Sequence, residues 1–197
     1  MRKYNFISII ALFIFGIFCQ ANAAETPTDL IKNGNKKIAE AVSSTKNQAQ
    51  LTEKISNILA DITNFNTLSN NVTSSFCKNL NADQCKQFNS TFIDLIKTST
   101  ASKLSKYKSE KINYDKEEIK GNKATVKTTL VSKDKQVRID YQLEKVGSKW
   151  QIVNYIVEDI DTVDNYKKQF VRMFKKDSFE KIINSLKQKI TIIKTGK

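Results

Sequence analysis

The sequence contains no histidine, only one proline and only five glycines among 197 residues. Without histidine, the chain lacks the side chain that most often acts as a general base near neutral pH. The glycines are isolated from one another, at Gly16, Gly34, Gly121, Gly147 and Gly196. No glycine-rich loop is therefore available to cradle a phosphate group. These absences argue against nucleotide-binding enzymes and against enzymes that depend on histidine.

Long apolar runs are also absent, except for one at the N terminus. Arg2 and Lys3 precede an apolar run at residues 6–18, and Ala21-Asn22-Ala23 follows it. A basic start, a short apolar segment and an A-x-A site are typical of a secretory signal peptide, and this run is too short to cross a bilayer. We therefore expect residues 1–23 to be a signal peptide and the protein to be exported.

The mature chain, residues 24–197, is expected to form one soluble domain that is strongly basic. Loss of the two positive charges in the signal peptide lowers the net charge from +13 to +11. The basic excess lies in residues 97–149 and 164–197. Such a surface suits anionic headgroups or an acidic partner, although a lysine-rich surface also simply keeps a protein in solution. Nucleic acid is not an expected partner, because the chain is exported and has no nucleic-acid-binding motif.

Cysteine is scarce, and two of the three cysteines remain after removal of the signal peptide. Cys19 is removed with it, and Phe18 is too large for the position before a lipidated cysteine. Cys77 and Cys85 flank Asn81-Ala82-Asp83-Gln84, a segment that can end one helix and begin the next. In an oxidising compartment such a pair often forms a disulfide, and this short loop would contribute about 2.5 kcal/mol. Metal binding by the two cysteines is the alternative, but no histidine is present to complete a zinc site.

Apolar residues at intervals of three and four predict helices in the first half of the mature chain. The pattern is thin from about Asp29 to Gln50 and clear from Leu51 to Phe65. A long helix is predicted after the cysteines, as far as about Tyr107. The apolar residues of one face of this helix are Phe88, Phe92, Leu95, Ile96 and Leu104.

Two further amphipathic helices are predicted near the C terminus. The first has a basic face opposite an apolar one, whose residues are Val163, Tyr166, Phe170, Met173 and Phe174. The second is predicted to begin at Asp177, because Glu180 completes the spacing of a capping box. Helices are therefore expected at both ends of the mature chain.

The period of the apolar residues changes from helical to alternating near Glu110. Four segments alternate in twos with short turn sequences between them, at residues 111–114, 123–132, 136–145 and 149–157. Consecutive strands joined by tight turns predict an antiparallel meander. With helices before and after these four strands, the predicted class is α+β.

One cluster of carboxylates resembles a catalytic or cation-binding group. Glu158, Asp159, Asp161 and Asp164 lie close together between the last strand and the next helix. They could hold a cation or serve in general acid–base catalysis. The alternative, which we favour, is an acidic turn whose charges suit the positive N-terminus of the helix that follows.

The last strand and the helices after it contain residues in a recognisable order. They are Trp150, Val157, Glu158, Ile160, Asn165, Tyr166, Phe170, Ser178 and Phe179. This order resembles the MlaC family of periplasmic phospholipid-binding proteins, also called toluene-tolerance proteins. Its pattern is a Trp-led strand ending in Val/Ile-Glu-Gly-Ile/Val-Ser, then Asn-Tyr-Arg-x-x-Phe and a final helix. Three residues depart from it: Asp159 replaces glycine, Asp161 replaces serine and Lys167 replaces arginine.

The resemblance implies an apolar cavity between the sheet and its covering helices, which holds lipid acyl chains. The spacing of aromatic residues along the long helix is also similar to the family, although Thr100 stands where the family usually has tyrosine. The candidate lipid-binding residues are Phe92, Ile96, Leu104, Tyr107, Val126, Thr128, Leu130, Ile139, Tyr141, Trp150, Val153, Tyr155, Tyr166 and Phe170. The alternative for most of them is a place in an ordinary packed core.

The resemblance also implies a function, that of a periplasmic phospholipid carrier which is not an enzyme and uses no cofactor. The implied partners are phospholipid cargo, an outer-membrane lipoprotein complex and the substrate-binding subunit of an inner-membrane ABC transporter. Together these would maintain the lipid asymmetry of the outer membrane, with transient proximity to membrane surfaces. Two alternatives remain open: an exported basic interaction module with a packed core that binds an acidic partner, and an enzyme with an open pocket.

Overall fold

The structure is a computed structural model that describes residues 25–106, 111–133 and 135–195. The predicted signal peptide and Tyr107 lie outside the described residues. The helices are α1 (Pro27–Ser44), α2 (Gln48–Ile62), α3 (Phe65–Thr73), α4 (Ala82–Lys106), α5 (Thr162–Phe174) and α6 (Phe179–Thr195), with a 3₁₀ turn at Cys77–Asn79. Within the described residues, no helix combines the length and the apolar character needed to span a membrane.

Five strands form one antiparallel sheet in the order of the chain. They are β1 (Lys111–Lys120), β2 (Lys123–Val131), β3 (Gln136–Val146), β4 (Lys149–Val157) and β5 (Ile160–Asp161). The predicted meander and the α+β class are confirmed. The first strand is longer than predicted. A register shift between Tyr114 and Lys116 interrupts the alternation of its residues, so the sequence pattern revealed only the part before the shift. Gly121 and Gly147 have φ values of 60° and 61° in the turns on either side of β2 and β3, a conformation that favours glycine.

The first two helices form a tightly packed pair at the N terminus. The predicted segment to Gln50 is in fact interrupted, because α1 ends at Ser44 and the side chain of Asn47 caps α2 by accepting a hydrogen bond from the Gln50 N–H at 3.0 Å. A Cβ atom at Gly34 would lie 2.7 Å from Ile62 Cδ1. A side chain at this position would therefore require the end of the Ile62 side chain to move.

Buried side chains of α3, α4, α5 and α6 form an aromatic core. Phe76, Phe88, Phe92, Phe170 and Phe174 surround one another there, and the Phe88 and Phe170 rings meet edge to face at 4.9 Å. Leu95, Ile96, Ile182, Ile183 and Leu186 fill the space around the rings. Burial of each large side chain contributes about 1.5–3 kcal/mol to stability.

Two smaller cores hold α1 and α2 in place. The sheet core packs α1 against the inner face of the sheet through Leu30, Ile31, Ala124, Val126, Leu143, Trp150 and Ile152. The helix core joins α1, α2 and α4 through Ala41, Leu51, Ile55, Leu59 and Ala101. The strand residues of the sheet core lie at the end of the sheet where β2 and β4 begin and β3 ends.

Two local features stabilise the ends of helices. Cys77 and Cys85 form a disulfide with their Cα atoms 5.4 Å apart, which ties the 3₁₀ turn to the first turns of α4. Their sulfurs are bonded to each other and are thus not available as thiolates for a metal. At the start of α6, the Lys181 N–H donates to Ser178 Oγ, while the Asp177 carboxylate pairs with the Lys181 ammonium. The cap is therefore Ser178, and the predicted cap at Asp177 is wrong by one residue.

Candidate functional site

A cavity of about 580 Å³ lies between the helices and the inner face of the sheet. This volume falls within the range of about 300–1,000 Å³ that is usual for ligand pockets. Its walls come from all three cores, with Ile31 and Ile62 from the sheet core, Leu59 from the helix core, and Tyr155 and Tyr166 at the edge of the aromatic core. The cavity is therefore the space that the three cores leave between them.

The sheet wall of the cavity follows from the pairing of β2, β3 and β4. Leu130 lies opposite Val137, Ile139 opposite Val157, and Tyr141 opposite Tyr155, and all six side chains line the cavity. Opposed residues of an antiparallel ladder point to the same face. The cavity wall is thus a continuous row of apolar and tyrosine side chains.

An irregularity in β4 explains why this strand is apolar on both faces. Ile152 pairs with Leu143 and Asn154 with Gln142, so Val153 is left without a partner at the register shift. The extra residue resets the alternation, so that both ends of β4 direct large side chains inward. Asn154 consequently lies on the other face, where it is 6% exposed.

Six of the candidate lipid-binding residues line the cavity. They are Leu104, Leu130, Ile139, Tyr141, Tyr155 and Tyr166. Sequence reasoning did not select the contributions of α1, α2 and α3, which are Ile31, Asn35, Ile38, Leu59, Ile62 and Phe65. The helical stripes that contain these residues were visible in the sequence, but an apolar stripe gives no sign of which members face a cavity.

The other described candidates lie away from the cavity. Phe92, Ile96 and Phe170 belong to the aromatic core, and Val126 and Trp150 belong to the sheet core. The remaining two lie in the sheet. Thr128 is buried and donates its hydroxyl to the Ile139 carbonyl oxygen at 2.9 Å, and Val153 lines a separate depression beside Asn154. The structure therefore separates the candidates that line the cavity from those that are buried elsewhere.

Charge is confined to the rim of the cavity. Lys103 and Glu158 are the charged residues among those that line it, and both are exposed. Inside, the Tyr155 hydroxyl is 3.0 Å from Thr100 Oγ1, and burial raises the pKa of Tyr155 to about 12. Burial also raises the pKa of Tyr141. Both phenols therefore remain neutral at physiological pH, and the interior carries no charge.

The acidic cluster beside the rim is engaged in structural contacts. The Glu158 carboxylate accepts a hydrogen bond from the Arg138 N–H, and the Asp159 carboxylate pairs with the Arg138 guanidinium at 2.7 Å. Glu158 and Asp159 have φ values of 48° and 65°, so they form the turn in which the family pattern has glycine at the second position. Asp161 caps α5 by accepting from the Asp164 N–H at 2.8 Å. No group of three or more potential metal ligands occurs in the described part of the chain.

Fold and site together define an α+β protein with an apolar cavity between an antiparallel sheet and its helices. A family model described as MlaC protein matches residues 30–188, and the chain belongs to the MlaC family. This confirms the resemblance found in the sequence.

A solved structure shares the fold. It is a phospholipid-binding protein from Ralstonia solanacearum in complex with a phospholipid, with a TM-score of 0.72 and 15% sequence identity. The likeness covers 86% of this chain and 98% of that chain. No curated protein matches the sequence.

Proposed function

We propose that this protein is a periplasmic phospholipid carrier and not an enzyme. The observation that carries the proposal is the apolar cavity of about 580 Å³ in a member of the MlaC family. The phospholipid in the structural relative from Ralstonia solanacearum supports the same class of cargo. The carboxylates that would be candidates for acid–base catalysis are engaged by Arg138 and by the N-terminus of α5.

Transfer free energies explain why such a carrier needs a cavity of this kind. Each methylene that moves from a bilayer into water costs about 0.8 kcal/mol, so two acyl chains of about 15 carbons cost on the order of 20 kcal/mol. A cavity walled by aliphatic and aromatic side chains returns most of this free energy. Binding then has nearly the same free energy as membrane insertion, which allows the lipid to be collected and released.

The distribution of charge indicates how the lipid would be oriented. The interior is neutral, whereas Lys103 and Glu158 lie at the exposed rim. Burial of an ionised phosphate without a partner is strongly unfavourable. The acyl chains therefore enter the cavity while the headgroup remains in water at the rim, within reach of these two side chains.

Three features support the finer proposal about place and partners. The N-terminal sequence has the form of a signal peptide, the mature chain is basic, and the resemblance to the MlaC family implies a periplasmic protein. The proposed partners are an outer-membrane lipoprotein complex and the substrate-binding subunit of an inner-membrane ABC transporter, which together maintain outer-membrane lipid asymmetry. Export would be shown by a mature N terminus at Ala24.

Native mass spectrometry of the mature protein, purified without detergent, tests the proposal. We expect one phospholipid per chain, released only on unfolding and identified by extraction. The same protein stripped of lipid should recover the cargo from liposomes. A mass of the protein alone, together with no uptake from liposomes, would rule out the carrier function.

A further inference from the structure

Three tyrosines of the sheet differ in the hydrogen bonds that their hydroxyl groups make. The Tyr114 hydroxyl accepts a hydrogen bond from Asn35 Nδ2 at 3.1 Å, and the Tyr155 hydroxyl is 3.0 Å from Thr100 Oγ1. Tyr141 lies opposite Tyr155 in the ladder of β3 and β4. Within the described part of the chain, however, the Tyr141 hydroxyl makes no hydrogen bond.

The position of Tyr141 indicates that its missing partner comes from the cavity. The side chain is half-buried and lines the cavity, so the part of its surface that remains open faces the cavity. A hydroxyl group that faces an apolar cavity without a hydrogen-bond partner is unfavourable, so native proteins usually satisfy such a group with a ligand or another polar atom. The cavity is the space from which a ligand atom could reach it.

The electrostatics define the chemistry of that atom. Burial keeps Tyr141 protonated, so its hydroxyl is available as a donor. The charged residues that line the cavity, Lys103 and Glu158, are both at the rim, so an anionic acceptor inside would have no counter-charge. A neutral oxygen acceptor fits this position. The ester carbonyls are the neutral acceptors of a phospholipid that lie between its headgroup and its acyl chains.

We propose that the Tyr141 hydroxyl donates a hydrogen bond to an ester carbonyl oxygen of the bound lipid. This inference rests on the proposed carrier function and makes it more specific. The preferred cargo is a lipid with ester-linked acyl chains, because an ether-linked lipid carries no carbonyl at this position. Tyr141 thus sets the depth at which the glycerol backbone is held, and the apolar walls accept the chains beyond it.

The experiment is a competition for uptake from vesicles that contain equal amounts of a diester phosphatidylethanolamine and its diether analogue of the same chain length. Native mass spectrometry measures which lipid the full mature protein takes up. We expect the wild-type protein to favour the diester about fivefold, the factor that corresponds to one net hydrogen bond between neutral groups. Tyr141→Phe should take up both lipids nearly equally. Tyr114→Phe is the matched control, because its hydroxyl already has Asn35 as a partner, and it should keep the preference.

Each outcome has a definite meaning. Equal uptake of the two lipids by the wild-type protein would overturn the inference and leave the carrier function intact, whereas uptake of neither would overturn both. A preference that persists in Tyr141→Phe would also overturn the role of this hydroxyl. The lipid-free Tyr141→Phe protein should melt at the same or a higher temperature than the lipid-free wild-type protein, because the hydroxyl group that it loses makes no hydrogen bond to the described part of the chain. A clear fall in melting temperature would show that the hydroxyl has a structural partner instead.

Discussion

Ile139 and Val126 were both candidate lipid-binding residues of the sheet, and the structure places them differently. Ile139 is half-buried because it borders the cavity. Val126 is 1% exposed and is enclosed in the sheet core with Ala124 and Leu143. Replacement by tryptophan should therefore mainly weaken lipid binding at Ile139 and mainly lower stability at Val126.

The expected magnitudes follow from this difference in surroundings. In Ile139→Trp the indole would occupy space that an acyl chain needs. If it displaces about four methylenes at about 0.8 kcal/mol each, binding weakens by about 3 kcal/mol, or more than a hundredfold. In Val126→Trp the added atoms have no space, so overpacking should cost about 1–3 kcal/mol of stability. That corresponds to a fall in melting temperature of about 2–12 °C.

The assay combines native mass spectrometry for lipid occupancy with thermal unfolding of the lipid-free proteins. Ile139→Leu is the matched control, because it keeps the volume nearly constant and should change neither quantity appreciably. We expect Ile139→Trp to be empty of lipid with nearly unchanged melting temperature. An Ile139→Trp protein that keeps full occupancy, or that loses stability as Val126→Trp does, would refute the assignment of Ile139 to a cavity wall.

Three further predictions concern stability. Asn154→Ala should lower the free energy of unfolding by about 2 kcal/mol in urea titrations. The reason is that Asn154 is buried, donates to Gln142 and Asp161, and accepts from the Val163 N–H. An unchanged midpoint of the urea titration would contradict this. Replacement of Cys77 and Cys85 by serine should cost about 2.5 kcal/mol, with no change in lipid occupancy, because neither cysteine lines the cavity. Burial raises the pKa of Tyr155 to about 12, above its unfolded value. The stability that follows from this difference in pKa is therefore fully present below about pH 10 and is lost as the pH rises to about 12. Tyr155→Phe should reduce this loss of stability at alkaline pH. If the free energy of unfolding depends on pH identically in the variant and the wild-type protein, the prediction is wrong.

Local patterns in the sequence were sufficient to predict the class of fold. Alternation in β2, β3 and β4 reflects the pleat of a strand, and the helical stripes reflect the 3.6-residue period, so both are visible within a few residues. The errors lie where a local rule is interrupted. The first strand was predicted too short because a register shift after Tyr114 interrupts its alternation. The segment to Gln50 was predicted to be continuous, but Asn47 caps a new helix within it.

The turn before α5 shows how a substitution can be compatible with a family pattern without being predictable. Asp161 stands in the place of the family serine and still caps the helix, because a carboxylate oxygen accepts from the Asp164 N–H as a hydroxyl oxygen would. Asp159 adopts the left-handed conformation that glycine usually takes, and its carboxylate pairs with Arg138 across the turn. The partner on β3 is remote in sequence, so only the fold reveals it.

The sequence by itself determined the class of fold, the meander of consecutive strands and the family, since these depend on neighbouring residues and on a linear motif. The tertiary structure alone decided which apolar residues line the cavity. Phe92 and Leu104 lie on the same predicted face of α4, yet Phe92 packs against Phe170 with ring centroids 5.2 Å apart, while Leu104 borders the cavity. The physical reason is that an apolar side chain has the same hydrophobicity whether it faces another side chain or a cavity. The difference depends on what lies opposite it, and those groups come from distant parts of the chain.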